Sequence, residues 1–390
     1  MDKIKFLNLG RQPIANRFLN KDELENEFFY NLSVGFDQET GLVTQMDYVD
    51  APMMFNDEYA YRGSMSKTMR DHFAKFSKYF KDNIQRDPKV LEIGSNDGVF
   101  IKNWNKKRTF AVEPCGNFAQ ETNDMGYETY ARFWDVRTSD KILEDHGKMD
   151  LVFSANCMCH IPDLDETFRA VKNILTDDGL FVFEDPSLER MVSLNSYDQI
   201  YDEHPHVFSV IALQNLLNRN DLGIVKVEKL EVHGGSNRVY VKKINKANKH
   251  NSVQNHLQLE RSVGLDKLSV LDEFAERVRT SKHSLLKILK RFKNENKKVI
   301  SYGATSKSAT IFNYCQIGTD LIQYITDTTP EKQGKYSPGM HMPIVSPEEV
   351  FDNSVDYAFL GAWNFAKEIK NKESDFTGKF FTHVPRVRIL

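Results

Sequence analysis

The sequence predicts an α/β protein with two largely parallel sheets, one long helix between them and a small lobe of irregular structure in front. Two series of short apolar runs predict the sheets, because such runs separated by helix-length gaps are typical of parallel strands with crossover helices. The first series lies in residues 89–185 and the second in residues 297–390. An apolar stripe at helical spacing over residues 268–292 predicts the helix between them.

The first 80 residues carry turn signals and short aromatic stretches, which predict short strands and turns. A helix is expected from about Ser64, because large apolar side chains then recur every three or four residues. These are Met65, Met69, Phe73, Phe76 and Phe80. We therefore expect an N-terminal lobe with a lead-in helix over residues 1–80, a middle domain over 81–250, and a linker helix with a C-terminal domain over 251–390.

Strands of the middle domain are predicted at residues 90–93, 109–113, 150–154 and 179–183, followed by a strand pair at 223–227 and 239–243. The long helix starts acidic and ends basic, as the helix dipole favours. The C-terminal strands are expected at 299–302, 322–326, 357–360 and 387–390. The C-terminal segment therefore repeats the strand–helix order of the middle domain.

Composition excludes several classes of protein. The chain has 390 residues, 40% of them hydrophobic, and 52 basic residues against 55 acidic ones. This near balance argues against a nucleic-acid-binding protein, and the absence of an apolar run of about 20 residues argues against a membrane span. The N-terminal residues lack the apolar core of a secretory signal. Four cysteines are too few for a disulfide framework, so we expect a cytoplasmic protein; its oligomeric state is left open.

A cofactor site is predicted where the first middle-domain strand enters a turn, in the segment Glu92-Ile93-Gly94-Ser95-Asn96-Asp97-Gly98. Glycines let a ligand approach the backbone, and Glu113, at the end of the next strand, can accept hydrogen bonds from ribose hydroxyls. The Gly-x-Gly-x-x-Gly cradle for an NAD pyrophosphate is absent. The pattern resembles the S-adenosylmethionine (SAM) site of class I methyltransferases, in which Asn156, just past the third strand, would also line the pocket. An ordinary strand–helix turn is the alternative.

A second cluster has the residue types of acid–base chemistry. Tyr201, Glu203 and His204 lie close together, and His160 follows the third strand, where its side chain would face the same cleft. Histidine can accept and return a proton near neutral pH, a neighbouring carboxylate raises its basicity, and a tyrosine hydroxyl can polarise a carbonyl group. A structural histidine or a metal site is the alternative, although Cys157-x-Cys159 has the wrong spacing for a zinc knuckle.

Several segments together resemble the C-methyltransferases of deoxysugar biosynthesis, which act on nucleotide-linked 4-keto sugars. The matching segments occur in the family's order over almost the whole chain. They are Leu9–Asn16, Glu92–Gly98, Cys159–Asp163, Tyr201–His204, His233–Arg238, Tyr302–Lys307 and Asp327–Pro343.

The resemblance implies three parts: a zinc-binding N-terminal module, a class I SAM methyltransferase core, and a Rossmann-like C-terminal domain that helps to hold the nucleotide sugar. It also implies a set of site residues. The expected catalytic residues are His204 as base, Glu203, Tyr201, His160 and Tyr61. The expected cofactor-binding residues are Tyr59, Glu92, Gly94, Ser95, Asn96, Asp97, Gly98, Glu113 and Asn156.

Tyr59 and Tyr61 match an aromatic pair that the family places near cofactor and substrate, and which of the two faces the substrate stays open. The turn that opens a helix at residue 306 predicts a seat for a pyrophosphate, formed by free amides, Ser306 and Lys307, with Arg238 as a second cationic candidate. A solvent-exposed Lys307 is the alternative.

The sequence departs from the family at its N terminus. The family holds zinc there with four cysteines, whereas the first cysteine of this chain is Cys115. We therefore expect no metal, and a lobe held together by apolar side chains; a loosely ordered lobe is the alternative. Those side chains are Phe6, Leu7, Phe28, Phe29, Leu32 and Val34.

The leading hypothesis is SAM-dependent C-methylation of a nucleotide-linked 4-keto-deoxysugar through an enolate that His204 generates. One alternative is an O- or N-methyltransferase acting on another small molecule. Others are an NAD-dependent nucleotide-sugar dehydrogenase or epimerase, and a binding protein that has kept the fold without activity. The sequence does not identify the sugar, the nucleotide, the methylated carbon or the stereochemistry.

Overall fold

The structure is a computed structural model that describes residues 3–83, 87–350 and 354–390. Within these ranges the strands form three sheets, which correspond to the lobe, the middle domain and the C-terminal domain. The longest helix is too polar to cross a bilayer, and none in the described ranges has the length and apolarity of a membrane span.

The strands are β1 (Lys3–Pro13), β2 (Phe29–Asp37), β3 (Leu42–Gln45), β4 (Val90–Ile93), β5 (Thr109–Val112), β6 (Glu128–Tyr130), β7 (Met149–Ala155), β8 (Leu175–Pro186), β9 (His206–Val207), β10 (Leu222–Leu230), β11 (Ser236–Lys243), β12 (Val299–Tyr302), β13 (Ile325–Thr326), β14 (Ile344–Val345), β15 (Tyr357–Leu360), β16 (Lys379–Thr382) and β17 (Arg388–Ile389). The α-helices are α1 (Ala51–Met54), α2 (Lys67–Asp82), α3 (Gly116–Asp124), α4 (Val136–His146), α5 (Leu164–Ile174), α6 (Leu188–Leu194), α7 (Val210–Arg219), α8 (Asn251–Ser262), α9 (Leu268–Asn294), α10 (Ser306–Cys315), α11 (Pro347–Val350) and α12 (Ala366–Lys372).

The middle sheet has the order β10-β11-β8-β7-β4-β5-β6. Strands β6, β5, β4, β7 and β8 run parallel, while β11 and β10 form an antiparallel pair at one end. The predicted strands of this domain are confirmed. Because the carboxyl ends of β4, β5 and β7 meet at one edge, the residues that follow them lie together, as in other open α/β sheets.

The C-terminal sheet has the order β14-β13-β12-β15-β16-β17, with only its last strand antiparallel. The strand expected over residues 322–326 is reduced to β13, because the amides of Leu321 and Ile322 hydrogen-bond to the Gly318 carbonyl in a turn. Helix α9 confirms the predicted long helix, and its apolar stripe is buried.

The N-terminal lobe is more regular than the sequence predicts. Strands β1 and β2 have eleven and nine residues and pair antiparallel, with two register shifts in β1, and β3 extends the sheet. Strand β9, from the middle of the chain, pairs with β3 and completes it. The expectation of short strands was therefore wrong.

The lobe packs into the largest apolar cluster of the described residues rather than forming a separate core. Of the apolar residues expected to hold it, Phe6, Leu7, Leu32 and Val34 are buried in a cluster that includes residues of α9 and of the C-terminal domain. The expectation was wrong for Phe28, which is exposed, and Phe29 is only half-buried. Phe29 instead packs under the Arg11 guanidinium, 4.1 Å from its ring centre.

Candidate active site

A cavity of about 810 Å³ opens where the three parts of the chain meet. The lobe contributes Asn16, the middle domain contributes the turn at Gly94 and the loop at His204, and the C-terminal domain contributes Lys307. Its volume is that of an ordinary small-molecule site.

The turn after β4 forms one wall of this cavity. Gly94 has φ +74°, and a Cβ there would lie 2.7 Å from Cys157 Sγ, so only glycine fits. Glu113 accepts hydrogen bonds from the amides of Asn96 (2.7 Å) and Cys115 (2.9 Å), which hold its carboxylate at the end of β5. Burial raises the pKa of Glu113, and the two amide hydrogen bonds oppose this.

The expected cofactor residues Tyr59, Glu92, Gly94, Ser95, Asn96, Glu113 and Asn156 all line the cavity. Glu92 Oε2 and Ser95 Oγ are buried with no hydrogen-bond partner among the described residues. Unpartnered buried polar atoms beside a glycine cradle are what a ligand with amino, carboxylate and ribose groups requires. The residues present therefore fit SAM.

Asp97 and Gly98 lie behind this wall rather than on it, and their contact with the cofactor stays a prediction. The Asp97 carboxylate accepts a hydrogen bond from the Ser64 amide at 3.2 Å. Gly98 has φ +77°, and a Cβ there would lie 2.9 Å from Thr122 Cγ2. Both residues shape the turn without reaching the cavity.

His204 lies at the centre of the second wall. Its Nδ1 is 2.7 Å from the carbonyl oxygen of Gln199. Since a carbonyl only accepts, Nδ1 carries the proton and Nε2 keeps a free lone pair. Burial, with a smaller contribution from the positive charge of Lys307, holds the pKa of His204 well below its ordinary value. The imidazole is therefore neutral near pH 7 and can accept a proton.

Tyr201 and His160 flank this imidazole, with ring centres 4.1 and 5.1 Å from that of His204. Burial raises the pKa of Tyr201 well above its ordinary value, so its hydroxyl stays protonated. Burial also lowers the pKa of His160 to about 3, and its Nε2 is buried without a hydrogen-bond partner in the described part of the chain. Phe55 stacks on His160 at 5.3 Å. Two neutral hydrogen-bonding groups thus lie beside His204.

Glu203 faces the N-terminal lobe. Its Oε1 accepts a hydrogen bond from Asn16 Nδ2 (2.6 Å) and its Oε2 one from the Tyr59 hydroxyl (2.8 Å). Burial raises the pKa of Glu203 to about 7, while these bonds and the charge of Lys307 lower it. We expected Glu203 to support His204, but the Gln199 carbonyl does so instead.

The two tyrosines of the lead-in segment both line the cavity, at different places on its wall. Tyr59, assigned to the cofactor, contacts Glu203. Tyr61, assigned to catalysis, is 42% exposed and lies at the cofactor turn, where its carbonyl accepts a hydrogen bond from Asn96 Nδ2 at 2.9 Å.

The lobe also supplies residues that the sequence analysis missed. Gln45 Nε2 donates to the carbonyls of Tyr201 (2.7 Å) and His204 (2.9 Å), and the Ala15 amide donates to Asp202 Oδ1 (3.0 Å). Asn16 lies within one of the segments that resemble the family, which was the available signal for it. No pattern in the sequence indicates that Gln45 donates hydrogen bonds to two backbone carbonyls.

On the C-terminal side, Ser306 and Lys307 line the cavity as expected. Thr305 caps α10 by accepting a hydrogen bond from the Ser308 amide. Burial lowers the pKa of Lys307, and the negative charges of Asp198 and Glu203 oppose this. Lys307 forms no ion pair with the described residues, so the ammonium of this half-buried side chain is open to an anionic group.

Arg238, the second cationic candidate for the substrate, does not line the cavity, contrary to expectation. On β11 it lies opposite Glu184 of β8, and its Nε donates to Glu184 Oε1 at 2.6 Å. His72 Nε2 contacts the other oxygen of Glu184 at 2.6 Å, and the guanidinium lies 4.3 Å from the Phe76 ring centre. These contacts hold the Arg238 guanidinium away from the cavity.

Among the described residues of the N-terminal lobe, no three potential metal ligands lie together. The groups of three potential ligands found in the described ranges are Cys159, His160 and His204 in the cavity, and Glu128, Asp145 and His146 on the surface. Neither includes a residue of the lobe, which also lacks the cysteines that structural zinc usually uses. The absence of zinc remains a prediction.

Comparison with known proteins gives three consecutive domain matches. Residues 1–55 match a domain described as a putative zinc binding domain, residues 61–227 a methyltransferase domain, and residues 231–385 a C-methyltransferase C-terminal domain. The chain is also 30% identical over 400 residues to the C-methyltransferase NovU of Streptomyces niveus, covering 100% of this chain and 94% of that protein.

Solved structures are similar to part of the chain only. A SAM-dependent methyltransferase from Clostridium acetobutylicum is 15% identical with a TM-score of 0.34, over 46% of this chain and 93% of that one. A possible histamine N-methyltransferase from Thermotoga maritima is 16% identical with a TM-score of 0.34, over 45% of this chain and 91% of that one.

The full-length relative and the three consecutive domains agree with the sheet order and the SAM-compatible turn described above. The fold is thus a class I methyltransferase core with an N-terminal lobe and a C-terminal α/β domain, and the cofactor is SAM. The chain therefore belongs to the family of SAM-dependent C-methyltransferases.

Proposed function

We propose that this enzyme methylates a carbon of a nucleotide-linked 4-keto-deoxysugar, with His204 as the base. The observation that carries the proposal is the state of His204. A backbone carbonyl fixes the proton on Nδ1, burial keeps the ring neutral, and the ring lies on the wall of the cavity. A base that is neutral and oriented before the substrate arrives needs no reorganisation at the moment of proton transfer.

A ketone next to the target carbon makes this chemistry feasible. His204 Nε2 takes the proton from the carbon, and the electron pair of the broken C–H bond moves onto the ketone oxygen. The Tyr201 hydroxyl and His160 are the neutral groups beside His204 that can donate to this oxygen. One preorganised donor of this kind contributes about 3–4 kcal/mol to the stability of the transition state.

SAM, when bound, supplies an electrophilic methyl group. The residues that would hold it are Gly94, Ser95 and Asn96 at the turn, Glu113 for the ribose hydroxyls, and Asn156. Their place on the same cavity as His204 supports transfer to carbon, because donor and acceptor would then share one enclosed space.

The nucleotide-linked substrate is supported by the C-terminal wall. Lys307 is half-buried on the cavity wall, next to the amino-terminal end of α10, and has no ion-pair partner in the part of the chain that the structure describes. Helix amino termini and lysines both favour phosphate oxygens. The resemblance of seven segments to methyltransferases of nucleotide-linked 4-keto sugars supports the same substrate class.

Proton exchange in deuterated water tests the base without the methyl donor. Wild-type enzyme is mixed with the keto-sugar, and loss of the proton at the target carbon is followed by NMR. His204→Asn should slow this exchange by at least about 100-fold, the usual range for general base catalysis. A wild-type rate in His204→Asn would show that another group is the base.

His206→Asn is a matched control, because His206 is a buried histidine two residues away that contacts the Pro162 carbonyl at 3.1 Å and does not line the cavity. Its exchange rate should stay near that of the wild type. Mass spectrometry and NMR of products from several nucleotide-linked 4-keto sugars test the substrate class. A methyl group found on oxygen or nitrogen would favour the alternative methyltransferase reactions.

A further inference from the structure

The hairpin turn between β10 and β11 has an unusual backbone. Three consecutive residues have positive φ: His233 at +54°, Gly234 at +88° and Gly235 at +113°. Positive φ is ordinary for glycine but unfavourable for histidine, and such strain persists where the surrounding structure imposes it. The turn therefore holds His233 in a conformation that the residue would not adopt by itself.

Close packing on both glycines imposes this conformation. A Cβ on Gly234 would lie 2.4 Å from Trp363 Cη2 of the C-terminal domain, and one on Gly235 would lie 2.8 Å from Arg190 Cγ. The Gly235 carbonyl also accepts a hydrogen bond from the Ser187 amide at 3.1 Å. The middle and C-terminal domains thus press on the turn from two sides and fix the direction of the His233 side chain.

The His233 imidazole lies on the cavity wall, and its Nε2 is buried without a hydrogen-bond partner in the described ranges. Burial, together with the positive charge of Lys307, lowers the pKa of His233 to about 3. The ring is therefore neutral in the working pH range. A buried imidazole nitrogen with no partner is costly unless a ligand completes it.

We propose that His233 is a substrate-binding residue that hydrogen-bonds a hydroxyl group of the methyl acceptor. The inference rests on the proposed function and deepens it. Lys307 and His233 line the same cavity, so the ammonium binds the anionic part of the acceptor and the neutral imidazole binds an uncharged part. A hydroxyl group can both donate and accept, so it fits either tautomer of the ring.

The acceptor is favoured over the cofactor because of the elements around His233. Trp363 and Lys307 belong to the C-terminal domain, whereas the cofactor turn at Gly94 and the ribose carboxylate of Glu113 belong to the middle domain. Residues of the middle and C-terminal domains thus both pack around the strained turn, and the acceptor would bind between these two domains.

Steady-state kinetics of the full-length enzyme test the inference. His233→Ala should raise the KM for the nucleotide-linked sugar about tenfold to a hundredfold, with kcat and the KM for SAM within about twofold of the wild type, because one hydrogen bond to a buried partner is lost. His233→Asn should recover part of this loss, since asparagine tolerates positive φ and keeps a donor and an acceptor.

His341→Ala is the matched control. His341 also has positive φ, at +50°, but it pairs with Glu27 at 2.7 Å and does not line the cavity. Its KM values should match those of the wild type. An acceptor analogue that lacks the contacted hydroxyl should have the same KM with wild-type enzyme and with His233→Ala.

The results separate the two proposals. If the wild type methylates a nucleotide-linked sugar but His233→Ala leaves the KM unchanged, or lowers kcat alone, the role of His233 is wrong and the proposed function stands. If the wild type methylates none of these sugars but retains SAM binding, the proposed function is wrong and the inference falls with it.

Discussion

Gln45 offers a test of whether the N-terminal lobe holds the proposed catalytic loop, residues 197–207, which contains His204. Its Nε2 donates to the carbonyls of Tyr201 and His204, and the side chain is 1% exposed. Gln45→Met keeps the length of the side chain and removes both donors. Each of the two buried carbonyls that lose this donor costs about 1–2 kcal/mol, in the lower part of the range for an unsatisfied buried polar group. The loop should therefore be less stable by about 2–4 kcal/mol.

This loss converts to an increase of about 30- to 1,000-fold in the population of the open loop. Amide hydrogen exchange, measured by mass spectrometry over residues 197–207, should rise accordingly. Proton exchange at the target carbon should fall about 10- to 100-fold, because a displacement of about 1 Å at the base is costly. SAM affinity should not change, since the cofactor turn makes no contact with Gln45.

Gln12→Met is the matched control. Gln12 lies in the same lobe, is 3% exposed, and donates to the Leu9 carbonyl at 3.0 Å, within its own strand. It should leave the catalytic loop and the proton exchange unchanged. Equal effects of the two variants, or unchanged exchange in Gln45→Met, would refute the idea that the lobe positions the base.

Three further outcomes are expected. Tyr59→Phe removes a hydrogen bond that lowers the pKa of Glu203, so this pKa should rise from about 7 and the acid limb of the pH–rate profile should move about 1–2 units to higher pH. An acid limb that does not move would exclude ionised Glu203 from the reaction. Arg238→Gln leaves the buried carboxylate of Glu184 without its cation, so the free energy of unfolding measured in urea should fall by about 3–5 kcal/mol while the KM for the sugar stays constant. A raised KM would show that Arg238 contributes to substrate binding. Trp363→Phe removes the 2.5 Å hydrogen bond from the indole to fully buried Asp198, so the thermal unfolding midpoint should fall by an amount that corresponds to about 1.5–3 kcal/mol. An unchanged midpoint would mean that another donor replaces the indole.

The parts of the fold that are local in sequence could be predicted. Apolar runs and turn glycines predicted the strands β4, β5, β7 and β8, and the spacing of apolar residues predicted α9, because these signals lie within one element. The N-terminal lobe was predicted less well. Its sheet is completed by β9, far along the chain, and no local pattern reports such a pairing.

The same distinction applies to the site. The residues at the cofactor turn and in the catalytic loop could be predicted because each occurs in a compact motif. The partner of each one could not, since Glu203 meets Asn16 of the lobe and His204 meets a backbone carbonyl. Arg238 shows the opposite error: a cation in a motif next to the site was interpreted as a ligand, while the sheet register places it opposite Glu184.

The pairing of β3 with β9 has consequences for how this chain folds during its synthesis and for whether one domain can be cut out as an active fragment. Val43 and Thr44 pair with Val207 and His206, so the first sheet to be translated stays incomplete until about half of the chain has been made. A fragment cut to the methyltransferase domain alone would keep the cofactor turn but lose Asn16, Gln45 and the strand partner next to His204. Such a fragment should bind SAM without catalysing proton exchange, and so it would not serve as a minimal catalyst for engineering.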